Sequence, residues 1–403
     1  MGGLSRVRVS GPLEPYAHGF ACELSRQGYS PFTVVDQLRL MAHLSRWLVG
    51  EKLDGSRLTP GALERFLAAR RGAGYVDYRS PRALVPLLGY LRGLGVAPAP
   101  GPAAIEAGAV GVLLERYRRY LTVERGLAVS TVDGYVCLTE TFLVGRVGEG
   151  GLDLEHLTAG DVSAFVRGWC REGAGGSGKR VSALRSLLGF LHVQGLISGS
   201  LVGAVPSVAY WRLAGLPRAL EADQVRRLLA SCDRASTAGR RDFAILMLLA
   251  RLGLRRGEVA AIELDDLDWR AGEMLVRGKG NRHERLPLPV DVGQAVAGYL
   301  RPGRPKSAEG RCVFLRLRAP HRALSADGVG DVVVAAGRRA GLGAIGAHRL
   351  RHTVASEMLR AGASLPEIGQ VLRHRRVSST AIYAKVDREA LRSLARPWPG
   401  GRA

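Results

Sequence analysis

AHRLRHTVASEMLRAGASLPEIGQVLRHRRVSSTAIYAK, residues 347–385, decides how the rest of the chain is read. It brings two Arg-His clusters close in sequence to a single tyrosine, with acidic residues scarce around them. His348 and Arg351 stand three apart, so on a helix they share a face, while His374 and Tyr383 follow on later segments. This helix carries His348, Arg351 and His352 at its start, with Val354, Ala355, Met358 and Leu359 as the apolar stripe behind them, so the first turn presents donors and the later turns are buried. Gly362 ends this helix. Ser364 and Glu367 then form a capping box for LPEIGQVLRH, with Pro366 in its first turn and His374 near its end. Ser378 or Ser379 caps a last segment, STAIYAKV, which sets Tyr383 among small and apolar neighbours. A lone tyrosine there is more often a packed amphipathic residue than a nucleophile, but a cationic pocket holding one phenol suits attack on a phosphodiester.

Working outward, RDFAILMLLARLGLRRGEVAAIELDDLDW at 241–269 reads as a strongly apolar helix broken at Gly253, then a short helix carrying Arg255 and Glu258. These two are three apart, so the carboxylate can orient the guanidinium; the bland alternative is a surface ion pair worth less than ~1 kcal/mol. GEMLVRGKGNRHERLPLPV alternates apolar and polar residues on either side of GKGN, which predicts a β-hairpin with Lys279 at or near its turn. A hairpin-tip lysine alone is usually just solvated.

Toward the N-terminus the pattern is helical and repeated. SPFTVVDQLRLMAHLSRWLVG starts with Ser30 as N-cap and Pro31 at the first helical position, and further helices follow in LTPGALERFLAAR and RALVPLLGYLRGLG. GYSPFTV at 28–34 parallels GLAVSTV at 126–132, LTPGALERF at 58–66 parallels LTAGDVSAF at 157–165, and LLGYL at 87–91 parallels LLGFL at 187–191. The near-constant offsets of 98, 99 and 100 argue for a duplicated helical module. Pro, Ala and Gly between the copies suit a linker. The expected organisation is a helical module over 1–96, a linker over 97–108, a second helical module over 109–204 and a C-terminal domain over 217–403. GAGGSGK at 173–179 has the spacing of a phosphate-binding loop, but Arg180 stands where such a loop needs Ser or Thr, and a helix rather than a buried strand precedes it. It reads as a loop between helices that carries Lys179 and Arg180 toward DNA phosphates.

Fifty-eight Lys and Arg against 36 Asp and Glu leave a formal charge of +22, which predicts an anionic polymer as partner. The bland alternative is a solvated arginine-rich surface. The five cysteines form no C-x-x-C pair, so neither a zinc site nor a disulfide framework is suggested. No apolar run approaches the ~20 residues of a membrane span, and the N-terminus lacks a signal-peptide core. The chain reads as soluble and cytoplasmic, with no metal and no cofactor.

GLRRGE at 253–258, GKGNRHERLPL at 278–288, HRLRHT at 348–353, LRH at 372–374 and IY at 382–383 together resemble the tyrosine recombinase (phage integrase) family, in order and in separation. The likeness spans roughly 105–400, and the nine-residue step from His374 to Tyr383 is the family's usual one. It implies a mainly α fold with a small β-sheet or hairpin in the C-terminal domain, two N-terminal helical DNA-binding modules, the second SAM-like, and a tyrosine recombinase catalytic domain. It also implies roles. Arg255 and Arg351 would grip the scissile phosphate, His348 and His374 would add hydrogen bonds, Lys279 would protonate the departing 5′ oxygen and Tyr383 would attack phosphorus, with Glu258 in support. Double-stranded DNA with specific sites is the implied partner and a homotetramer the implied assembly, with or without a second recombinase. Rivals are a type IB topoisomerase-like nicking and closing enzyme and a non-catalytic DNA-binding regulator. Arg349 stands where the family often has Asp, and Arg373 where it often has Gly; neither is expected to be catalytic. The tail after Tyr383 carries Leu391 and Leu394, which would face a partner subunit's groove or fold back on their own domain.

Overall fold

The computed structural model describes residues 7–99, 108–148, 151–171, 177–206, 219–278, 282–305, 310–374 and 379–386. The chain forms two compact units, residues 1–99 with 215–403, and residues 100–214. Lys279, most of the expected linker, most of the GAGGSGK stretch, Ser378, Leu391 and Leu394 lie outside the described residues.

The first helical module holds α1 (Ala17–Arg26), α2 (Pro31–Gly50), α3 (Pro60–Gly72) and α4 (Pro81–Gly93). Ser30 caps α2 as its spacing predicts, its Oγ accepting from the Thr33 N–H at 3.2 Å. Proline occupies the first turn of α2, α3 and α4, where a missing N–H costs nothing. Pro86 lies inside α4, yet the helix continues through it. Leu84, Leu87, Leu88 and Leu91 are buried on both sides of it, and their packing offsets one lost main-chain bond.

The second module repeats the order with α5 (Ala109–Arg119), α6 (Val129–Val144), α7 (Ala159–Arg171) and α8 (Ser177–Val193). Thr59 and Thr158, one repeat apart, both cap the helix that follows; Thr158 does so reciprocally, its Oγ1 accepting from the Asp161 N–H while its own N–H donates to the Asp161 carboxylate. A two-residue antiparallel pair, β1 (Val147–Gly148) and β2 (Gly151–Leu152), separates α6 from α7 and was not foreseen from the sequence. Lys179 and Arg180 stand on the first turn of α8 rather than on a loop. The Arg180 guanidinium lies 5.4 Å from the Trp169 ring centre, and Lys179 lies so close over Gly134 that a Cβ there would collide with its ammonium.

The C-terminal domain packs α9 (Ala222–Ala230), α10 (Thr237–Leu252), α11 (Arg256–Ala260), α12 (Val290–Leu300), α13 (Ala326–Arg339) and α14 (Ala347–Arg360) around a core that includes Ile245, Leu249, Val259, Val296, Phe314, Val333 and Leu350. α10 runs through its middle, in contact with α12, α13 and α14. A three-stranded antiparallel sheet, β3 (Leu267–Asp268), β4 (Glu273–Gly278) and β5 (Arg282–Pro287), flanks it. The expected hairpin is β4–β5, with Met274 opposite Leu286 and Gly278 opposite Arg282. α15 (Leu365–Val371) and a 3-10 segment, Ala381–Val386, complete the described chain and build a small separate core from Val354, Ala355, Ile368, Leu372 and Tyr383.

Candidate active site

The apolar run of α10 stops because Gly253 takes a left-handed conformation, φ +58°, in which a side chain would be strained and a Cβ would strike Leu372. That turn points the Gly253 carbonyl back into the domain and starts α11 at Arg255. Glu258, one turn along, is 4% exposed, so its pairing with Arg255 is not the surface contact that the bland reading offered. Its carboxylate accepts from the Arg255 main-chain N–H at 2.8 Å, from Arg255 Nη1 at 2.5 Å and from Arg373 Nη2 at 3.1 Å. Burial pushes the Glu258 pKa up, but the Arg255 N–H and the charges of Arg373 and Arg255 together outweigh it and leave the pKa lowered. The Arg255 side chain remains 41% exposed, tethered on one edge and open on another.

Arg351, on the second turn of α14, is only 1% exposed. Its Nη1 donates to the Gly253 carbonyl at 2.6 Å and its Nη2 to the Leu372 carbonyl, so the main chain at two distant turns fixes the plane of the guanidinium. Burial, then the charge of Arg255, lowers its pKa to about 10, and it stays a cation at neutral pH. Arg255 Nη2 uses the neighbouring carbonyl, that of Arg373, at 3.1 Å. The turn after α15 therefore presents two successive carbonyls to the two arginines. Arg373 adopts φ +55° to do so, a conformation that costs a side-chain-bearing residue ~1–2 kcal/mol, and its side chain closes the ion pair with Glu258. It therefore touches both the carboxylate and, through its main chain, Arg255.

His374 follows this turn rather than lying on α15, which ends at Val371. Its Nδ1 bonds to Thr380 Oγ1 at 2.8 Å, and its ring lies parallel to that of Tyr383 at 6.3 Å between centres. The Ser364–Glu367 capping box that starts α15 is present as the spacing predicts. His348 is exposed at the first turn of α14, its pKa lowered by desolvation and by the charges of Arg351 and Arg255. It shares with Arg255, Glu258, Arg277 and Arg351 a cleft of about 930 Å³.

Tyr383 is 1% exposed, and burial pushes its pKa up to about 12 against the pull of Arg351. Ionising it at pH 7 would cost ~7 kcal/mol, against ~4 for a free phenol. Its hydroxyl is bonded to Nδ1 of His352 at 2.9 Å. The sequence places His352 with His348 and Arg351 at the start of this helix but assigns it no role of its own. The available signal was its place four residues after His348 on one helix face; the rings do meet, edge to face, at 4.5 Å. Of the expected set, Arg255, Glu258, His348, Arg351, His374 and Tyr383 converge, Lys279 lies outside the described residues, and Lys179 and Arg180 belong to the other unit. Among the described residues no group of three or more His, Cys, Asp or Glu is placed to hold a metal, and no helix is long and apolar enough to cross a membrane.

Residues 218–390 match the phage integrase family and residues 114–195 its N-terminal SAM-like domain. The integrase/recombinase y4rA of Sinorhizobium fredii is 42% identical over 394 residues, 97% of this chain and 95% of that one. Tyrosine recombinase XerD of Mycobacterium tuberculosis is 33% identical over 307 residues, 71% of this chain and 96% of its own length. The crystal structure of XerH site-specific recombinase bound to its palindromic difH substrate, a post-cleavage complex, is alike in fold, with a TM-score of 0.55 at 16% identity over 83% of this chain and 94% of that one. Such extensive likeness, with all five motifs inside the matched segment, defines the class: a tyrosine-type site-specific recombinase. The chain belongs to the phage integrase family.

Proposed function

We propose that this recombinase breaks and rejoins double-stranded DNA at specific sites through a 3′-phosphotyrosyl link on Tyr383, as the integrase of a mobile element. The observation that supports the reading is that Arg255, Arg351 and His348 line one cleft while His374 stacks beside the ring of the buried Tyr383, from motifs as far apart as Arg255 and Tyr383.

Arg255 and Arg351 hold the scissile phosphate. Two of the five N–H groups of Arg351 are spent on carbonyls, which leaves others for non-bridging oxygens in a preset plane. His348 and His374 add donors. Tyr383 Oη attacks phosphorus, and Lys279 supplies a proton to the departing 5′ oxygen. The cations offset the cost of ionising the phenol and stabilise the added charge of the phosphorane. The covalent link conserves the phosphodiester energy, so rejoining calls for no ATP, metal or cofactor. Lys179, Arg180 and the excess of 22 positive charges bind the DNA backbone, and the enzyme acts in the cytoplasm as a homotetramer on two sites, with or without a second recombinase.

Nicked duplexes tiled across the DNA that flanks the gene test this. The expected result is a covalent protein–DNA band that Tyr383→Phe abolishes; a band that persists in Tyr383→Phe overturns the assignment of the nucleophile. Relaxation of supercoiled plasmid by the monomer, without recombinant product from any paired sites, would favour the topoisomerase-like activity instead.

A further inference from the structure

The proposed cleavage gives the leaving 5′ oxygen a proton donor but leaves the proton of the attacking phenol without a destination. Among the described residues, His352 Nδ1 is the group hydrogen-bonded to Tyr383 Oη, at 2.9 Å. His374, the other imidazole beside the ring, lies stacked at 6.3 Å with its own Nδ1 taken by Thr380 Oγ1. His348 meets His352 edge-on at 4.5 Å, consistent with their i, i+4 spacing on α14, while the bond to the phenol is made by His352. We propose that His352 is a catalytic residue of both strand cleavage and rejoining: its Nδ1 accepts the proton of Tyr383 as Oη bonds to phosphorus and returns it when the 5′ hydroxyl attacks.

This deepens the phosphotyrosyl reading above and rests on it. In cleavage the Oη–H bond breaks, the Oη–P bond forms, the P–O5′ bond breaks, and the 5′ oxygen takes its proton from the separate acid. His352 becomes an imidazolium, and in rejoining the same proton goes back to the departing phenolate. No other reactant is needed.

The surroundings fit an acceptor that must start neutral. Among the described residues, the charged and titratable groups facing His352 are His348 and Arg351 on its own helix and Tyr383 on the 3-10 segment, whose ring also stacks with His374. Burial, then His348 and Arg351, lowers its pKa to about 4, so at neutral pH the imidazole is neutral with one bare nitrogen, which is Nδ1 in the proposed mechanism. In the tautomer with a bare Nδ1, the Tyr383 hydroxyl donates to His352, and its proton is already placed for transfer. The arriving phosphate brings negative charge beside the ring, which favours the imidazolium as the reaction proceeds.

The test uses the full chain and a nicked duplex first chosen by its Tyr383-dependent covalent band. His352→Ala removes the acceptor, and His352→Asn puts an amide oxygen near the position of Nδ1, which accepts a hydrogen bond but no proton. Both variants should bind the duplex as tightly as the parent while single-turnover cleavage and rejoining each slow at least ~100-fold. Added imidazole should restore part of the His352→Ala rate, more at higher pH as its free base increases. A 5′-bridging phosphorothiolate duplex, whose leaving group needs no proton, should leave the defect in place. Cleavage of the parent rate in His352→Ala, full recovery in His352→Asn, or rescue by the phosphorothiolate would each overturn the assignment. If no duplex gives a Tyr383-dependent band, the phosphotyrosyl reading itself has failed; if the band forms and only the His352 effects are missing, the inference alone has.

Discussion

The arginine half and the tyrosine half of the site are held in different ways. Arg351, Arg255 and Arg373 are fixed by main-chain carbonyls and by one carboxylate that two of them share. Tyr383 sits in an apolar nook with Val354, Ile368 and Leu372, and its polar contact is a neutral imidazole. The first half keeps permanent charge in place, and desolvation cannot neutralise it. The second keeps its phenol uncharged, with a raised pKa. In the proposed reaction, rigid cations next to a restrained phenol make attack depend on the arrival of a phosphate.

The largest break in this contrast is Arg351→Ala. It strips two buried carbonyls of their donor, each worth ~1–3 kcal/mol when left unsatisfied, and removes the proposed phosphate donor, worth ~100–1,000-fold in rate. Denaturant unfolding should show a loss of ~3 kcal/mol, and the covalent band on a nicked duplex should vanish.

Acid separates the halves next. His352 and His374 are neutral in the fold, their pKa values lowered to about 4 by burial and by neighbouring cations, while the unfolded chain protonates near the ordinary value of 6.5. A group whose folded pKa is depressed contributes its stability above the unfolded pKa and loses it as pH falls through the folded one. Thermal unfolding should therefore show stability at its full value above pH ~6.5 and a loss of several kcal/mol from these two rings by pH ~4. The guanidinium groups of the arginine half stay charged throughout that window. A flat melting temperature between pH 7 and 4.5 would count against two buried neutral imidazoles.

The smallest effect on stability belongs to Arg373→Gly. Glycine relieves the left-handed strain at φ +55°, worth ~1 kcal/mol, while the lost contact with Glu258 takes a similar amount back, because Arg255 still neutralises that carboxylate. Chemical denaturation should place the variant within ~1 kcal/mol of the parent. Cleavage should nonetheless slow about tenfold, because Glu258 is then free to draw Arg255 away from the cleft; an unchanged rate would mean that Arg373 only fills space.

Much of this site was legible in linear order. The Ser364–Glu367 capping box, the break at Gly253 and the β4–β5 hairpin are local, and residues within a few positions of one another fix them. LPEIGQVLRH keeps an apolar period through Leu372 and so reads as helical up to His374, whereas the chain turns left-handed at Arg373. A histidine beside an arginine on a helix says nothing about what packs above it, so His352 carries no role in linear order. Arg373 likewise gives no sign of its partner, because Glu258 lies 115 residues earlier.

The sequence by itself determined the helical order, the duplicated caps at Thr59 and Thr158, the basic character and the five motifs in register, all of which rest on periodicity and spacing. Only the tertiary structure decided that Arg351 would be buried and spent on carbonyls, that Glu258 would serve two arginines, and that the phenol would meet His352 rather than solvent. Desolvation and contacts across a hundred residues depend on which surfaces pack together, and the position of a residue along the chain does not carry that information.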